Sequence, residues 1–396
     1  MTLSNTPRTA MRHARPGPAP RRSGGFVNGL LVALLACTAT ALNGAVGIVD
    51  GQAETAERVY VANQASASVS VIDAASGTVI ETIDLTRLGF DPNCRPHHTA
   101  VDPDGSHWYV SLIGGGNVLR FNADNELVSR APFETPGLLS VDPTSDRLYV
   151  GRSMMAVNPP QRIGEIDRND MTVQELDVFF PRPHALTIDP STNRIFTASL
   201  VENRVAVVES GTEALELVDI DGPPHTLVQF ALSPDGRHLV ATTQLTGRLL
   251  VFDATTPQLR LVSEVEVGTQ PWHPVFSPSG DRVYFGAKDD DAVVVVETDG
   301  WSVVTRITAP GIVEPHGSAV TADGRYLFVS NRNLKGAYTP TRQVEDNADV
   351  GTVVKIDTRT LEVVQTIEVG TYPAGISLGA VSTSSPTGSP QGPALP

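Results

Sequence analysis

Six of the nine histidines in this 396-residue chain stand in one kind of local sequence. They are His97 and His98 in Arg95-Pro96-His97-His98, His184 after Pro183, His225 after Pro223-Pro224, His273 after Pro271-Trp272, and His316 after Pro315. Each closely follows a proline and opens a short apolar run. Imidazoles placed by a repeat can converge on one point, and converging neutral imidazoles suit a transition metal. Copper is the expected ion, since it stands highest in the general divalent affinity order; zinc is the other candidate. Two further readings compete with this one. The histidines can have spread by repeat duplication, each bonding a local backbone group. A ring of histidines can also bind an anionic organic substrate.

The elements that carry these residues are short apolar runs separated by turns. One copy begins at Pro183: Ala185 to Ile188, then Arg194 to Ala198, Arg204 to Val208 and Ala214 to Val218. Valine, isoleucine, threonine and aromatics dominate the runs, as strands buried on both faces require. Asp189-Pro190-Ser191-Thr192-Asn193 and similar stretches supply the reversals. Four antiparallel strands recurring every ~40–45 residues predict a β-propeller. Repeats begin near Pro96, Pro136, Pro183, Pro224, Pro271 and Pro315. Residues 58–85 supply only three strands, and Pro373 to Leu378 supply one more. Joining these in one blade leaves no free sheet edge and gives an all-β, seven-bladed ring over residues 58–379.

Val59-Tyr60-Val61-Ala62-Asn63, Ser233-Pro234-Asp235-Gly236-Arg237 and Tyr326-Leu327-Phe328-Val329-Ser330-Asn331 resemble the YVTN family of propeller repeats. That resemblance implies the fold and little about activity, because propellers host many functions.

In such a ring the first strand of each blade lines the channel, so the histidines should gather at one mouth. A one-residue shift along a strand normally reverses the side chain, which sets His98 and His273 against the other four. Pro136-Gly137 and Pro373-Ala374 are the corresponding positions without histidine. The segment from Arg332 to Val350 is expected to cap the same mouth, and Met154 to Gln161 lies on the same face. Cys94 and the two methionines, Met154 and Met155, are further candidate ligands, with packing as the plainer role. His107 and His238 should lie toward the opposite face.

The pair His97-His98 with single histidines in other blades resembles the propeller of nitrous oxide reductase, where a pair and singles hold a multinuclear copper cluster. That resemblance implies copper ligation by His97, His98, His184, His225, His273 and His316. The family uses seven histidines and carries a cupredoxin domain; six are matched here and nothing after Ala380 could form that domain, so nitrous oxide reduction is not expected. A looser likeness is to the selenium-binding proteins with copper-dependent thiol oxidase activity.

Other features bound the function. Arginines before Phe26 to Ala36, with no acid before Asp50, read as a secretory leader over residues 1–53. Leu34-Leu35-Ala36-Cys37 is an imperfect lipobox, so Cys37 is a candidate lipid anchor beside plain cleavage near Ala41 or Ala53. A periplasmic or extracellular location follows from either. The net charge of −15 makes nucleic acid an unfavourable partner. Two cysteines provide no disulfide framework. Residues 380–396 are rich in Ser, Thr, Pro and Gly and read as a disordered tail. Asp73, Asp167, Asp253 and Asp357 end third strands and read as turn caps. The Asp289-Asp290-Asp291 run lacks calcium-loop spacing and reads as a solvated loop. No nucleophile elbow or haem-attachment motif is present.

The expected function is therefore an exported, monomeric propeller that holds copper at one channel mouth. It would act as an oxidoreductase with a small-molecule substrate or an electron-transfer protein as partner. The alternative is a non-catalytic scaffold for a protein or cell-envelope ligand; a lactonase or lyase propeller is a third option for which no acid–base constellation stands out.

Overall fold

The computed structural model describes residues 55–212, 214–256 and 258–382. The leader, Cys37 and the chain after Ser382 lie outside the described residues. Seven four-stranded antiparallel sheets form the blades. In the first blade the C-terminal strand Pro373–Ser382 pairs with the N-terminal strand Thr55–Asn63, which is followed by Ser68–Asp73 and Thr78–Asp84. This closing pair is longer than the sequence suggests: Thr55 faces Ser382 and Glu57 faces Ala380. A long antiparallel seam is the sensible place to spend hydrogen bonds, because it joins the two ends of the ring.

Each blade runs from an inner strand outward. The inner strands are Pro96–Val101, Pro136–Val141, Pro183–Asp189, Leu227–Leu232, Val275–Phe276, Pro315–Val320 and Pro373–Ser382. Each contacts its neighbours on both sides around the ring. The core lies between blades, and seven apolar clusters fill the seven interfaces. Phe196 and Ala198 of the fourth blade, for example, pack with Phe230 and Phe252 of the fifth. Tyr60 of the first meets Trp108 and Phe121 of the second. Val59 and Ile376 meet Phe328 and Val353 across the closure. Each such side chain contributes about 1.5–3 kcal/mol by leaving water, so blades are held by their neighbours more than by themselves.

The start of every inner strand has the same irregular backbone. Arg95, Thr135, Arg182, Thr226, Gln270, Glu314 and Tyr372 all have positive φ, between 45° and 56°. The carbonyl of each accepts a hydrogen bond from the backbone N–H just after the second strand of its blade, at 2.9–3.2 Å. Those N–H groups belong to Ile113, Ser153, Leu200, Gln244, Lys288, Arg332 and Gln64. Left-handed backbone at a non-glycine residue is costly and persists only where the surroundings hold it. Here a repeated clamp holds it, and it fixes the structural register of the mouth.

Candidate functional site

That register settles where each histidine sits. His97, His184 and His316 occupy the second residue of the clamp, directly after the residue that follows the positive-φ position. His98 and His273 come one place later. The alternation problem is relieved at the second, fourth and seventh blades, where pairing shifts between Pro96 and Thr99, Pro183 and Ala185, and Pro315 and Ser318. In the sixth blade Pro271 makes only an isolated bridge to Ala287, and regular strand starts at Val275. The chain around these histidines is therefore not bound to strict two-residue alternation.

Four rings contact one another directly. The His273 and His316 centroids are 4.5 Å apart, His98 and His273 5.6 Å, and His97 and His316 5.9 Å, all edge to face. His184 belongs to the same group electrostatically: its charge would oppose protonation of His97, His98 and His273. Rings from the second, fourth, sixth and seventh blades thus gather at one mouth. Small residues at the corresponding places in the third and first blades, Gly137 and Ala374, leave them room. Gly375 is required for a further reason. A Cβ there would fall 2.5 Å from the His97 carbonyl oxygen and 2.7 Å from the His98 Cα.

His225 is the exception. In the fifth blade the positive-φ residue is Thr226, so the residue corresponding to Pro96 is Leu227 and not Pro224. His225 therefore precedes the clamp, and Val228 occupies the position held elsewhere by His97, His184 and His316. Its Nδ1 bonds the Thr246 hydroxyl at 2.8 Å, and the charges it feels are Glu264 and Arg248 rather than another histidine. The Pro-Pro-His sequence places the ring outside the cluster although it looks like its neighbours.

Hydrogen bonding distinguishes the five gathered rings. The His184 Nδ1–H donates to the Arg152 carbonyl at 2.7 Å, which leaves Nε2 as the bare acceptor. His97 Nδ1 pairs with the Gln64 side-chain oxygen at 3.1 Å with the same consequence. This is the arrangement in which an outer partner orients a metal-ligating imidazole. His98 is opposite: its Nδ1 accepts the Leu139 N–H at 3.2 Å, so the neutral ring carries its proton on Nε2. His273 and His316 make no hydrogen bond from either nitrogen, and both are buried. The Nε2 atoms of His97 and His184 are also buried and unpartnered.

Burial pushes all five pKa values down; neighbouring histidines add to this for His97, His98 and His273, Arg332 and then the histidines for His316, and Arg182 for His184, whose bond to the Arg152 carbonyl acts the other way. His98 and His184 fall to about 4, and His97, His273 and His316 fall well below the ordinary value. At neutral pH the cluster is a set of uncharged imidazoles. Among the described residues no three His, Cys, Asp or Glu side chains already stand in an arrangement that could hold one ion.

The other candidates fall away from the mouth or into the core. Cys94 is fully buried with Ala67, Val69 and Leu112, and burial pushes its thiol up to about 11, so it is no thiolate. Met155 is exposed. His107 bonds Ser106 and stands near Asp102, and His238 packs on Trp301; neither meets the cluster. Asp73, Asp167, Asp253 and Asp357 accept backbone N–H groups two or three residues on, as turn caps do. Asp290 and Asp291 do more than face water: they accept the backbone N–H groups of Thr269 and Glu314. The Arg332–Val350 segment sends Tyr338 and Thr341 outward to Glu368 on the outermost strand of its own blade. At its start the segment is tied to the mouth instead, where the Arg332 and Lys335 backbone N–H groups bond Glu314.

Sequence reasoning missed three members of the site: Gln64, Trp272 and Arg332. Gln64 and Arg332 follow second strands at equivalent places, and the Arg332 charge acts on His97, His273 and His316. The available signal was the repeat itself, read at the end of the second strand as well as at the start of the first.

A family model for the lactonase-type seven-bladed β-propeller matches residues 225–308. No curated protein matches the sequence. Solved structures share the fold at low identity. Hydrazine synthase from Kuenenia stuttgartiensis is 18% identical over 71% of this chain and 89% of its own, with a TM-score of 0.56. AztD from Citrobacter koseri, solved in an apo form, is 12% identical over 82% of this chain and 98% of its own, with a TM-score of 0.58. A candidate 6-phosphogluconolactonase from Bacteroides uniformis is 14% identical over 81% and 99%, with a TM-score of 0.61. These likenesses establish a seven-bladed propeller with lactonase-like neighbours.

Proposed function

We propose that this propeller binds a transition metal, copper in the first place and zinc as its competitor, through His97, His184, His273 and His316. The observation that supports the reading is that four rings with buried, unpartnered Nε2 atoms gather at one mouth, whereas the equally unpartnered His225 Nε2 stands apart from them. A buried polar atom without a partner costs free energy, and a bound cation relieves several such atoms at once. Donors that are all neutral imidazole suit copper or zinc and offer nothing to calcium or magnesium. His98, protonated on Nε2, serves as a neighbouring donor instead of a ligand until its bond to Leu139 is given up.

Loading requires the rings to turn, because the cluster is not yet arranged around one centre. His273 and His316 carry no hydrogen bonds that would resist this. His97 and His184 are held by Gln64 and Arg152 and act as the fixed side of the site. Bound copper would supply a redox-active, Lewis-acidic centre; the chain's part is to bind it, orient the imidazoles and exclude water.

The experiment is metal analysis of the untagged full chain after exposure to copper and to zinc. Wild-type protein should retain metal stoichiometrically. His273→Ala/His316→Ala should lose it while staying folded, and His225→Ala should retain it. Equal retention in all three proteins would place the metal elsewhere. Lactone hydrolysis is a second reading, favoured by the family match over residues 225–308. Ring opening of a δ-lactone at the same rate by metal-stripped and metal-loaded protein would support it; no turnover in either state would dismiss it.

A further inference from the structure

Arg332 is 7% exposed, and its guanidinium has no hydrogen-bond or ion-pair partner among the described residues. Its Cζ lies over two aromatic rings, 4.8 Å from the Trp272 centroid and 4.6 Å from that of Tyr372. Trp272 in turn stacks on His316 at 4.6 Å, and its indole Nε1–H is buried without an acceptor. The nearby acid, Glu314, acts on Arg332 through its charge but forms no ion pair or hydrogen bond with it, and accepts the Lys335 backbone N–H at 3.2 Å. Cation–π contact compensates part of the desolvation of Arg332 but satisfies none of its N–H donors. A buried guanidinium whose N–H donors lack acceptors is expensive even with an acid nearby, and an anion that accepts from those donors is the remedy.

We infer that Arg332 and Trp272 together bind the carboxylate of a small organic acid at the channel mouth. The aromatic rings contact the guanidinium carbon and leave its donors, which form a planar fork, without acceptors. A planar carboxylate fits that fork. The single positive charge of Arg332, already opposed by Glu314, disfavours a dianion such as phosphate. The organic remainder of the ligand lies beside Trp272, His273 and His316. The inference goes beyond the metal site, because neither Arg332 nor Trp272 ligates the ion.

The test titrates metal-stripped full chain with sodium acetate, and separately with inorganic phosphate, at constant ionic strength. Indole N–H proton resonances are followed. The chain has three tryptophans, and Trp272→Phe identifies the relevant signal. Acetate should shift the Trp272 signal saturably, and Arg332→Gln should weaken binding by about tenfold or more, the worth of one charge-assisted hydrogen bond. If Arg332→Gln does not fold, Arg332→Lys, which keeps the charge and loses the fork, should still weaken binding measurably. Absence of a saturable shift, or an affinity that neither variant changes, overturns the inference. Tighter binding of phosphate than of acetate overturns the carboxylate assignment. Saturable acetate binding by a protein that takes up no metal refutes the metal proposal and leaves this one standing.

Discussion

The histidine tautomers carry the chemistry at the scale of residues. Arg152 and Gln64 each fix a proton on Nδ1 and free Nε2, while Leu139 does the reverse to His98. Residue types and their repetition were legible in the sequence. The tautomers were not, because they depend on which backbone or amide group the fold brings alongside. Burial also relocates the pH response. Unfolded histidine titrates near 6.5, but His98 and His184 titrate near 4 when folded. Between those values the unfolded chain binds protons that the folded chain refuses. Stability of the metal-free protein should therefore fall as pH drops from about 6.5 toward about 4, by up to about 1.4 kcal/mol per pH unit for each such histidine. Chemical denaturation across this window checks it. His98→Asn/His184→Asn should show a shallower decline than wild type, and parallel declines would contradict the assigned shifts.

The informative element is the start of the inner strand. Its sequence signature, a proline followed by histidine, is correct in four blades and misleading in the fifth, where the clamp closes three residues later, at Leu227. Proline and histidine identities cannot reveal this, because the register is set by the positive-φ residue and by the carbonyl it offers to the end of the second strand. Glycines on neighbouring inner strands set how closely the mouth can pack. Gly375→Ala would push a methyl group into the backbone of His97 and His98. Overpacking of this kind should cost roughly 1–3 kcal/mol and lower metal retention along with stability. Equilibrium unfolding and metal analysis of this variant together check the point, and wild-type values in both would show that the inner strands can separate freely.

For the whole molecule, the sequence predicted seven blades and their closure correctly, because strand period, turn chemistry and the unpaired strands at the two ends all agreed. It could not show that the seam continues through Ser382, since Gly379 and Ala380, followed by a Ser- and Thr-rich stretch, do not read as strand. Interfaces between blades hold most of the apolar core, so removing one strand injures two blades. Deleting residues 373–382 should expose the edge of Thr55–Asn63 and open the packing of Val59 and Val61 against Phe328. Aggregation, or a large loss of thermal stability, is the expected result in light scattering and calorimetry. An unchanged melting transition would mean that closure contributes little.

The claim on which the account turns is ligation by the gathered imidazoles, and X-ray absorption spectroscopy of the copper-loaded full chain tests it most directly. A shell of several imidazole nitrogens at about 2.0–2.1 Å, a distance borrowed from zinc sites as a guide, is expected, with loss of that shell in His273→Ala/His316→Ala. A shell of oxygen ligands, or a nitrogen shell that survives the double substitution, would contradict it.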